Sequence, residues 1–287
     1  MKAIKNCEVP FLSRRLTALM EMVTPGLRLA DIGTDHAFLP VRLLMDGKIP
    51  FAYCCDVRPG PLERAEDHLK QYGVQQQAET RLSDGLSALE PGEAESVLIA
   101  GMGGELIVRI LKECDSRKDR SGGTFYGTVK EWILSPHTEW GAVRRYLRLS
   151  GRRIAGERLV REDGKYYLIL RAGPGETEKT YREAERKGLG TAAADCFGPL
   201  LCASGDALLL SYLGESLRKN DMIRRKLLKE EETSGMKTLS AERRLVELYA
   251  EAEVIRNALR IARNAAAQNA AEQNAVTEGK EERREGE

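Results

Sequence analysis

Residues 27–40 read LRLADIGTDHAFLP, an apolar run that carries one aspartate, Asp31, and breaks at Gly33 before a second apolar stretch begins. Four further runs repeat the theme downstream: FAYCCDV from Phe51, AETRLSD from Ala78, SVLIAGMGG from Ser96 and EWILSP from Glu131. Helical patterns separate them. Leu62, Ala65, Leu69 and Tyr72 recur at spacings of three and four, with Pro61 suited to a first turn. Leu106, Ile107, Ile110, Leu111 and Cys114 follow the fourth run, and Trp140, Val143 and Leu147 the fifth. Alternation of this kind predicts an α/β fold built on a doubly wound parallel sheet. The segment RRIAGERLVREDGKYYLILRAGPG then pairs two strand patterns about Asp163-Gly164, which predicts an antiparallel hairpin at the sheet's end.

Gly173, Pro174 and Gly175 close this region, and a helical composition takes over. We expect a first domain over 1–175, a helical domain over 176–265 and a disordered tail over 266–287. Leu245, Leu248, Ala252, Ile255, Leu259 and Ala262 form a heptad seam, with Leu209, Leu213, Leu217, Ile223 and Leu227 as the partner stripe and a turn at Thr233-Ser234-Gly235. An antiparallel coiled-coil hairpin within the chain accounts for both stripes. The same seam offers a dimer interface, although a short turn favours pairing within one chain and hence a monomer. Residues 115–128 read as an exposed polar connection.

Of 287 residues, 45 are Lys or Arg and 44 Asp or Glu, so the chain lacks the basic excess of a histone-like binder. Any nucleic-acid contact must be local, and the small basic surplus lies at 151–175. No run approaches the roughly 20 apolar residues of a spanning helix, and the first residues lack an apolar signal core; a cytoplasmic protein without membrane contact is expected. Six cysteines include no CxxC pair, and three histidines add little to them, so neither a metal nor a disulfide framework is expected. Cys54 and Cys55 read as small core hydrophobes.

Ligands of open parallel sheets bind beyond the strands' carboxyl ends. Here those ends carry Asp31, Gly33, Asp35 and His36, then Asp56, then Asp84-Gly85, then Gly101, Gly103 and Gly104. Asp56 lies 25 residues past Asp31, close to the offset at which an acid grips ribose hydroxyls. A pyrophosphate demands a G-x-G-x-x-G turn, of which only Gly33 is present, and Asp31 and Asp35 would repel phosphate. NAD and ATP therefore fit poorly. S-adenosylmethionine, with a ribose, two cationic centres and no phosphate, fits the same acids. Taken singly, Asp31 or Asp35 reads equally well as a helix cap.

Several motifs together resemble bacterial tRNA adenine-N1 methyltransferases that modify position 22: Leu12-Ser13-Arg14-Arg15-Leu16, ADIGTDHAFLP at 30–40, DGLSALEPGEA at 84–94, IAGMGG at 99–104, EDGKYY at 162–167 and Phe197-Gly198-Pro199. The resemblance spans roughly residues 12–260. It implies a class I, Rossmann-like methyltransferase domain with a coiled-coil C-terminal domain, and S-adenosylmethionine beside Asp31, Gly33, Asp35, Asp56, Asp84, Gly85 and Gly101. Ser135-Pro136-His137 departs from the Gln-Pro-type segment expected there.

For transfer to adenine N1 the nucleophile is a ring lone pair, so alignment and desolvation matter more than a strong base. Candidates for the reacting region are Asp35, Met102, which would pack on an extruded ring, and His137, an acceptor for the amino group. Backbone at Gly101–Gly103 competes with His137 for that role, and His36 is a further contact to the cofactor. Arg14, Arg15, Arg144, Arg145, Arg148, Arg152 and Arg153 are the candidate phosphate contacts, though a solvated face would look similar. A methyltransferase of a protein or small molecule would need no helical arm; a noncatalytic RNA-binding protein would have lost the cofactor pocket.

Overall fold

The computed structural model describes residues 11–117, 125–175, 177–234 and 238–285. The chain forms two compact units, Met1–Glu178 and Lys179–Glu287, which place the change of architecture three residues past the predicted boundary.

In the first unit, α1 (Arg14–Met22) precedes β1 (Leu29–Ile32), α2 (Phe38–Met45), β2 (Ala52–Asp56), α3 (Pro59–Gln71), β3 (Ala78–Leu82), β4 (Ser96–Ala100), α4 (Gly104–Ser116), α5 (Phe125–Thr128), β5 (Glu131–Ser135), α6 (Trp140–Leu149), β6 (Arg153–Glu162) and β7 (Lys165–Gly173). Among the described residues the strands make one seven-stranded sheet in the order β3-β2-β1-β4-β5-β7-β6. The first five run parallel and β7 pairs antiparallel with both β5 and β6. β1, β2 and β5 are buried along their whole length, as strands covered on both faces must be. Winding reverses between β1 and β4, and the crevice at their carboxyl ends is where such sheets take ligands.

Local chemistry explains the elements. Ser13 caps α1, its Oγ accepting from the Leu16 N–H at 3.4 Å. Pro59 opens α3, two residues before the proline singled out in the sequence, and Leu62, Ala65 and Leu69 face the core. Ile107, Ile110, Leu111 and Cys114 bury one face of α4 while Leu106 turns outward. Asp163 and Gly164 both take positive φ, +49° and +74°, the conformation a two-residue hairpin turn with matched strand twist requires. The 115–128 region differs from the expected exposed loop. Asp115 ends α4 as a partner of Arg152 and Tyr146, and Phe125 is fully buried; 118–124 lie outside the described residues.

All but the first two residues of α7 (Thr177–Arg186) belong to the second unit, with α8 (Thr191–Phe197), α9 (Pro199–Ser204), α10 (Ala207–Ser234) and α11 (Leu239–Glu285). α10 and α11 pack as an antiparallel hairpin, and Leu209 and Leu213 of the first and Leu245, Leu248, Ala252, Ile255, Leu259 and Ala262 of the second are all buried. The seam is thus filled within the chain. The partner stripe loosens towards the turn, where Ile223 is 40% exposed. Asn220, buried in the seam, donates to the Leu248 carbonyl at 2.9 Å and accepts from Arg224 at 2.9 Å; such a polar residue fixes register. Of the predicted turn, Gly235 lies outside the described residues.

Helical backbone continues to Glu285, which corrects the expectation of a disordered tail from 266. Two causes are visible. Alanines at 265–267, 270 and 271 favour helix without needing burial, and Asn269 donates to the Ser204 carbonyl at 2.8 Å, tying that turn to α9.

Candidate active site

Asp31 and Asp56 sit at the ends of neighbouring parallel strands, 8% and 7% exposed. No cationic side chain among the described residues pairs with Asp31. Burial raises its carboxyl to about 6, the Thr34 hydroxyl pulling it back and Asp56 pushing it further up. Asp56 is better supported: it accepts from the Arg58 N–H at 2.8 Å, with the Arg58 guanidinium at 3.7 Å. A desolvated carboxylate without a counter-ion is costly, and a bound cation would lower that cost.

The loop after β1 is held against β2 by the N–H groups of Gly33 and Thr34, both donating to the Cys55 carbonyl at 2.8 and 2.9 Å. Gly33 takes φ +78°, and a Cβ there would lie 2.3 Å from the Met102 Cε. Met102 therefore closes over the glycine. His36 and Ala37 continue in the left-handed region at +63° and +51°, so α2 starts with its axis set by two non-glycine residues in a rare conformation. His36 stacks on Phe38 at 5.3 Å and meets His68 at 5.2 Å, while its carbonyl lies 2.8 Å from the His68 Nδ1. The Nδ1 of His36 is buried with no hydrogen-bond partner among the described residues.

The four aspartates are not equivalent. Asp35 is 63% exposed and accepts from Arg64 at 2.8 Å; Asp84 is 59% exposed and accepts from Arg109 at 3.1 Å. They form a solvated, ion-paired rim around the buried pair. Gly85, at φ +58°, lets the chain turn after Asp84 where a Cβ would meet Ile110 at 3.1 Å. Two apolar side chains that sequence reasoning passed over complete this side. Val57 follows Asp56 and Leu82 pairs with it across the strands, and each is 62% exposed. The available signal was an apolar residue directly beside a strand-end acid.

On the other side, the loops after β4 and β5 are stitched together. The Gly101 N–H donates to the Ser135 carbonyl at 3.2 Å and the His137 N–H to the Met102 carbonyl at 2.8 Å. Gly103 precedes α4, and the first N–H of that helix, at Gly104, donates to the Glu139 carboxylate at 3.0 Å. A Cβ at 104 would strike the Thr138 and Glu139 carbonyls at 2.7 Å, so this glycine is a packing requirement. Gly101, at φ +80°, leaves its open side 3.6 Å from the His137 Nε2. Buried at the end of β5, the Ser135 hydroxyl has no hydrogen-bond partner among the described residues.

His137 packs edge-on to Tyr167 at 5.9 Å, and the Arg15 guanidinium lies over the Tyr167 ring at 5.1 Å and 3.5 Å from the His137 Nε2. Burial, then Arg15 and Lys165, lowers the His137 pKa and favours its neutral form. Tyr167 was legible only as part of the EDGKYY hairpin, since nothing in the sequence brings its side chain to the loop after β5.

Two expected phosphate contacts are corrected. Arg144 is fully buried, its Nε 2.6 Å from a Glu157 carboxylate that is itself fully buried; Arg152 is 1% exposed and held by Asp115. Arg144 lies on the inner face of α6 and Arg152 in the turn before β6, and both side chains are turned away from solvent. Arg14, Arg145 and Arg153 are exposed, and Arg15 and Arg148 are half-buried.

Cys54, Cys55, Cys114 and Cys202 are free and buried, with Cys55 pushed up to about 12 by burial, consistent with inert packing. Among the described residues no group of His, Cys, Asp or Glu is arranged to hold a metal, and no helix is long and apolar enough to cross a membrane.

Residues 12–170 match the family described as a methyltransferase domain. A Bacillus subtilis (strain 168) protein named tRNA (adenine(22)-N(1))-methyltransferase is 31% identical over 212 residues, which cover 74% of this chain and 84% of that one. The crystal structure of the B. subtilis m1A22 tRNA methyltransferase TrmK superposes with a TM-score of 0.75 at 28% identity, over 88% of this chain and all of that one. A Streptococcus pneumoniae putative tRNA (m1A22) methyltransferase, solved with S-adenosyl-L-methionine, gives 0.70 at 26% identity, over 87% of this chain and all of that one. The parallel sheet, its antiparallel final hairpin and the acidic strand ends are those of a class I methyltransferase, and the chain belongs to the tRNA (adenine(22)-N(1))-methyltransferase family.

Proposed function

We propose that this protein transfers a methyl group from S-adenosyl-L-methionine to N1 of adenine 22 in tRNA. The observation that carries the reading is Asp31, a buried carboxylate with no cationic partner among the described residues, at the point where the sheet's winding reverses. When bound, the cofactor supplies an electrophilic methyl group on a sulfonium.

The residues present fit that group. Asp31 offers negative charge to its cationic centres in a water-poor site, and Asp56 offers carboxylate oxygens to ribose hydroxyls. Val57 and Leu82 present apolar surface suited to a planar base. Asp35 and Asp84 contribute field from the rim, weakened by solvent and by Arg64 and Arg109. Gly33, Gly85 and Gly101 keep backbone exposed where side chains would intrude.

Methyl transfer forms a C–N bond as the S–C bond breaks, and the positive charge passes to the adenine. Adenine N1 already carries its lone pair, so the protein's task is to extrude, hold and desolvate the base. Met102, at the junction of the two halves of the site, is placed to pack against it. Arg14, Arg15 and Arg145 supply phosphate contacts, and the helical unit supplies further tRNA surface. We place the enzyme in the cytoplasm, where tRNA is modified, and favour a monomer.

Incubating the full chain with unmodified tRNA and methyl-labelled S-adenosyl-L-methionine, then mapping the label, tests the reading. Label at N1 of adenine 22 is expected. Label on another nucleotide, or on protein alone, overturns it.

A further inference from the structure

Arg15, His137 and Tyr167 come from α1, the loop after β5 and β7, and they meet beside Gly101. The guanidinium of Arg15 is a flat group lying over an aromatic face while directing an N–H toward an imidazole nitrogen at 3.5 Å. An adenine ring is also flat, stacks on aromatic faces, and carries an amino donor at its edge. We infer that the target adenine takes the place Arg15 holds in this structure, its ring against Tyr167 and its exocyclic amino group donating to the Nε2 of His137. The inference rests on the methyl-transfer reading above and adds how this chain recognises its base.

Three features make the arrangement selective. With Arg15 donating to it, Nε2 acts as the acceptor and the ring proton sits on Nδ1. The charged groups facing His137 are Arg15 of α1 and Lys165 of β7, both cationic; Glu162, at the end of β6, accepts from the Arg15 backbone N–H at 3.3 Å. These cations favour the neutral imidazole, which keeps an acceptor available. Adenine presents a donor at this edge and guanine a carbonyl acceptor, so a single acceptor separates them. Once displaced from Tyr167, Arg15 is free to meet a backbone phosphate, joining base entry to phosphate capture.

The step needs no further reactant. On transfer the purine becomes cationic and its amino group a stronger donor, so the contact to neutral His137 strengthens as the C–N bond forms.

The test compares tRNA carrying adenine with tRNA carrying unsubstituted purine at the target position, using the full chain. Purine keeps the N1 lone pair and lacks the amino group. Both tRNA affinity without methyl donor and kcat/KM are read for wild type, His137→Phe and His137→Gln, with calorimetry on S-adenosyl-L-methionine as the folding control. Wild type should prefer adenine over purine in both readouts. In His137→Phe that preference should shrink by about tenfold in kcat/KM, the scale of one lost hydrogen bond in a desolvated site, and the cofactor affinity should not change. His137→Gln retains an acceptor and should keep the preference. Tyr167→Leu should weaken tRNA carrying either base by about tenfold, the loss of one stacking contact.

An adenine-to-purine ratio identical in wild type and His137→Phe overturns the inference, as does a ratio lost in His137→Gln while cofactor affinity is intact. Absence of methylation of adenine-containing tRNA by wild type would instead strike the underlying functional reading.

Discussion

Gly33 and Met102, on loops that follow β1 and β4, face each other so closely that a Cβ on the first would lie 2.3 Å from the terminal methyl of the second. The contact joins the acidic half of the site to the half that holds His137. Its two partners differ in stiffness: Gly33 is fixed by its N–H bond to the Cys55 carbonyl, whereas Met102 ends in a flexible thioether.

That difference predicts two glycine substitutions with unequal cost. Gly33→Ala strains a φ of +78° and pushes a movable methyl aside, which should cost about 1 kcal/mol. Gly104→Ala meets the backbone carbonyls of Thr138 and Glu139 at 2.7 Å and should cost about 2–3 kcal/mol. Urea unfolding of both variants checks the order, and adding Met102→Ala should relieve only Gly33→Ala.

Asp31 should trade stability for binding. Its carboxyl is raised from 3.8 to about 6, so between those values the native state holds more protons than the unfolded chain. Stability contributed by this group therefore falls as pH rises through that window and is absent at neutral pH. Asp31→Asn should stabilise the protein by about 2–3 kcal/mol at pH 7, with the gain vanishing below pH 4, and should abolish cofactor binding. Thermal melts across pH, paired with calorimetry, measure both effects; a destabilised variant at pH 7 would contradict the assignment.

The same group should make cofactor affinity pH-dependent. A bound cation favours ionised Asp31, so the free protein must lose a proton to bind whenever the pH lies below about 6. Affinity for S-adenosyl-L-methionine should be flat above pH 7 and fall by up to about tenfold per unit below 6. Titration calorimetry in two buffers of different ionisation enthalpy detects the released proton directly.

The buried Arg144–Glu157 pair should matter to folding and not to RNA. Removing one partner leaves an uncompensated charge, so Arg144→Met should destabilise by about 3–5 kcal/mol, and Arg144→Met with Glu157→Met should recover much of that loss. Arg145→Ala, on the exposed neighbour, should leave stability within about 0.5 kcal/mol and weaken tRNA binding. Denaturant titration and filter binding separate the two arginines.

Deleting residues 179–287, the second compact unit, should weaken tRNA binding more than cofactor binding, because the acidic strand ends and their core belong wholly to the first unit. Equal tRNA affinity in the shortened protein would remove the helical hairpin from the interface.

The sequence by itself determined the five parallel strands, the helices after the second, fourth and fifth of them, the closing hairpin at Asp163-Gly164 and the position of acids at successive strand ends. Those features are local: period, turn chemistry and apolar runs are properties of neighbouring residues. It also carried the heptad seam of the second unit, whose spacing sets one buried face. Only the tertiary structure decided which acids lose their water, burying Asp31 while Asp35 and Asp84 found Arg64 and Arg109 from other elements. It likewise turned Arg144 and Arg152 inward and brought Arg15 and Tyr167 to His137, from positions 122 and 30 residues distant. Charge pairing and desolvation depend on what the fold sets across from a side chain, and spacing along the chain carries no record of that partner.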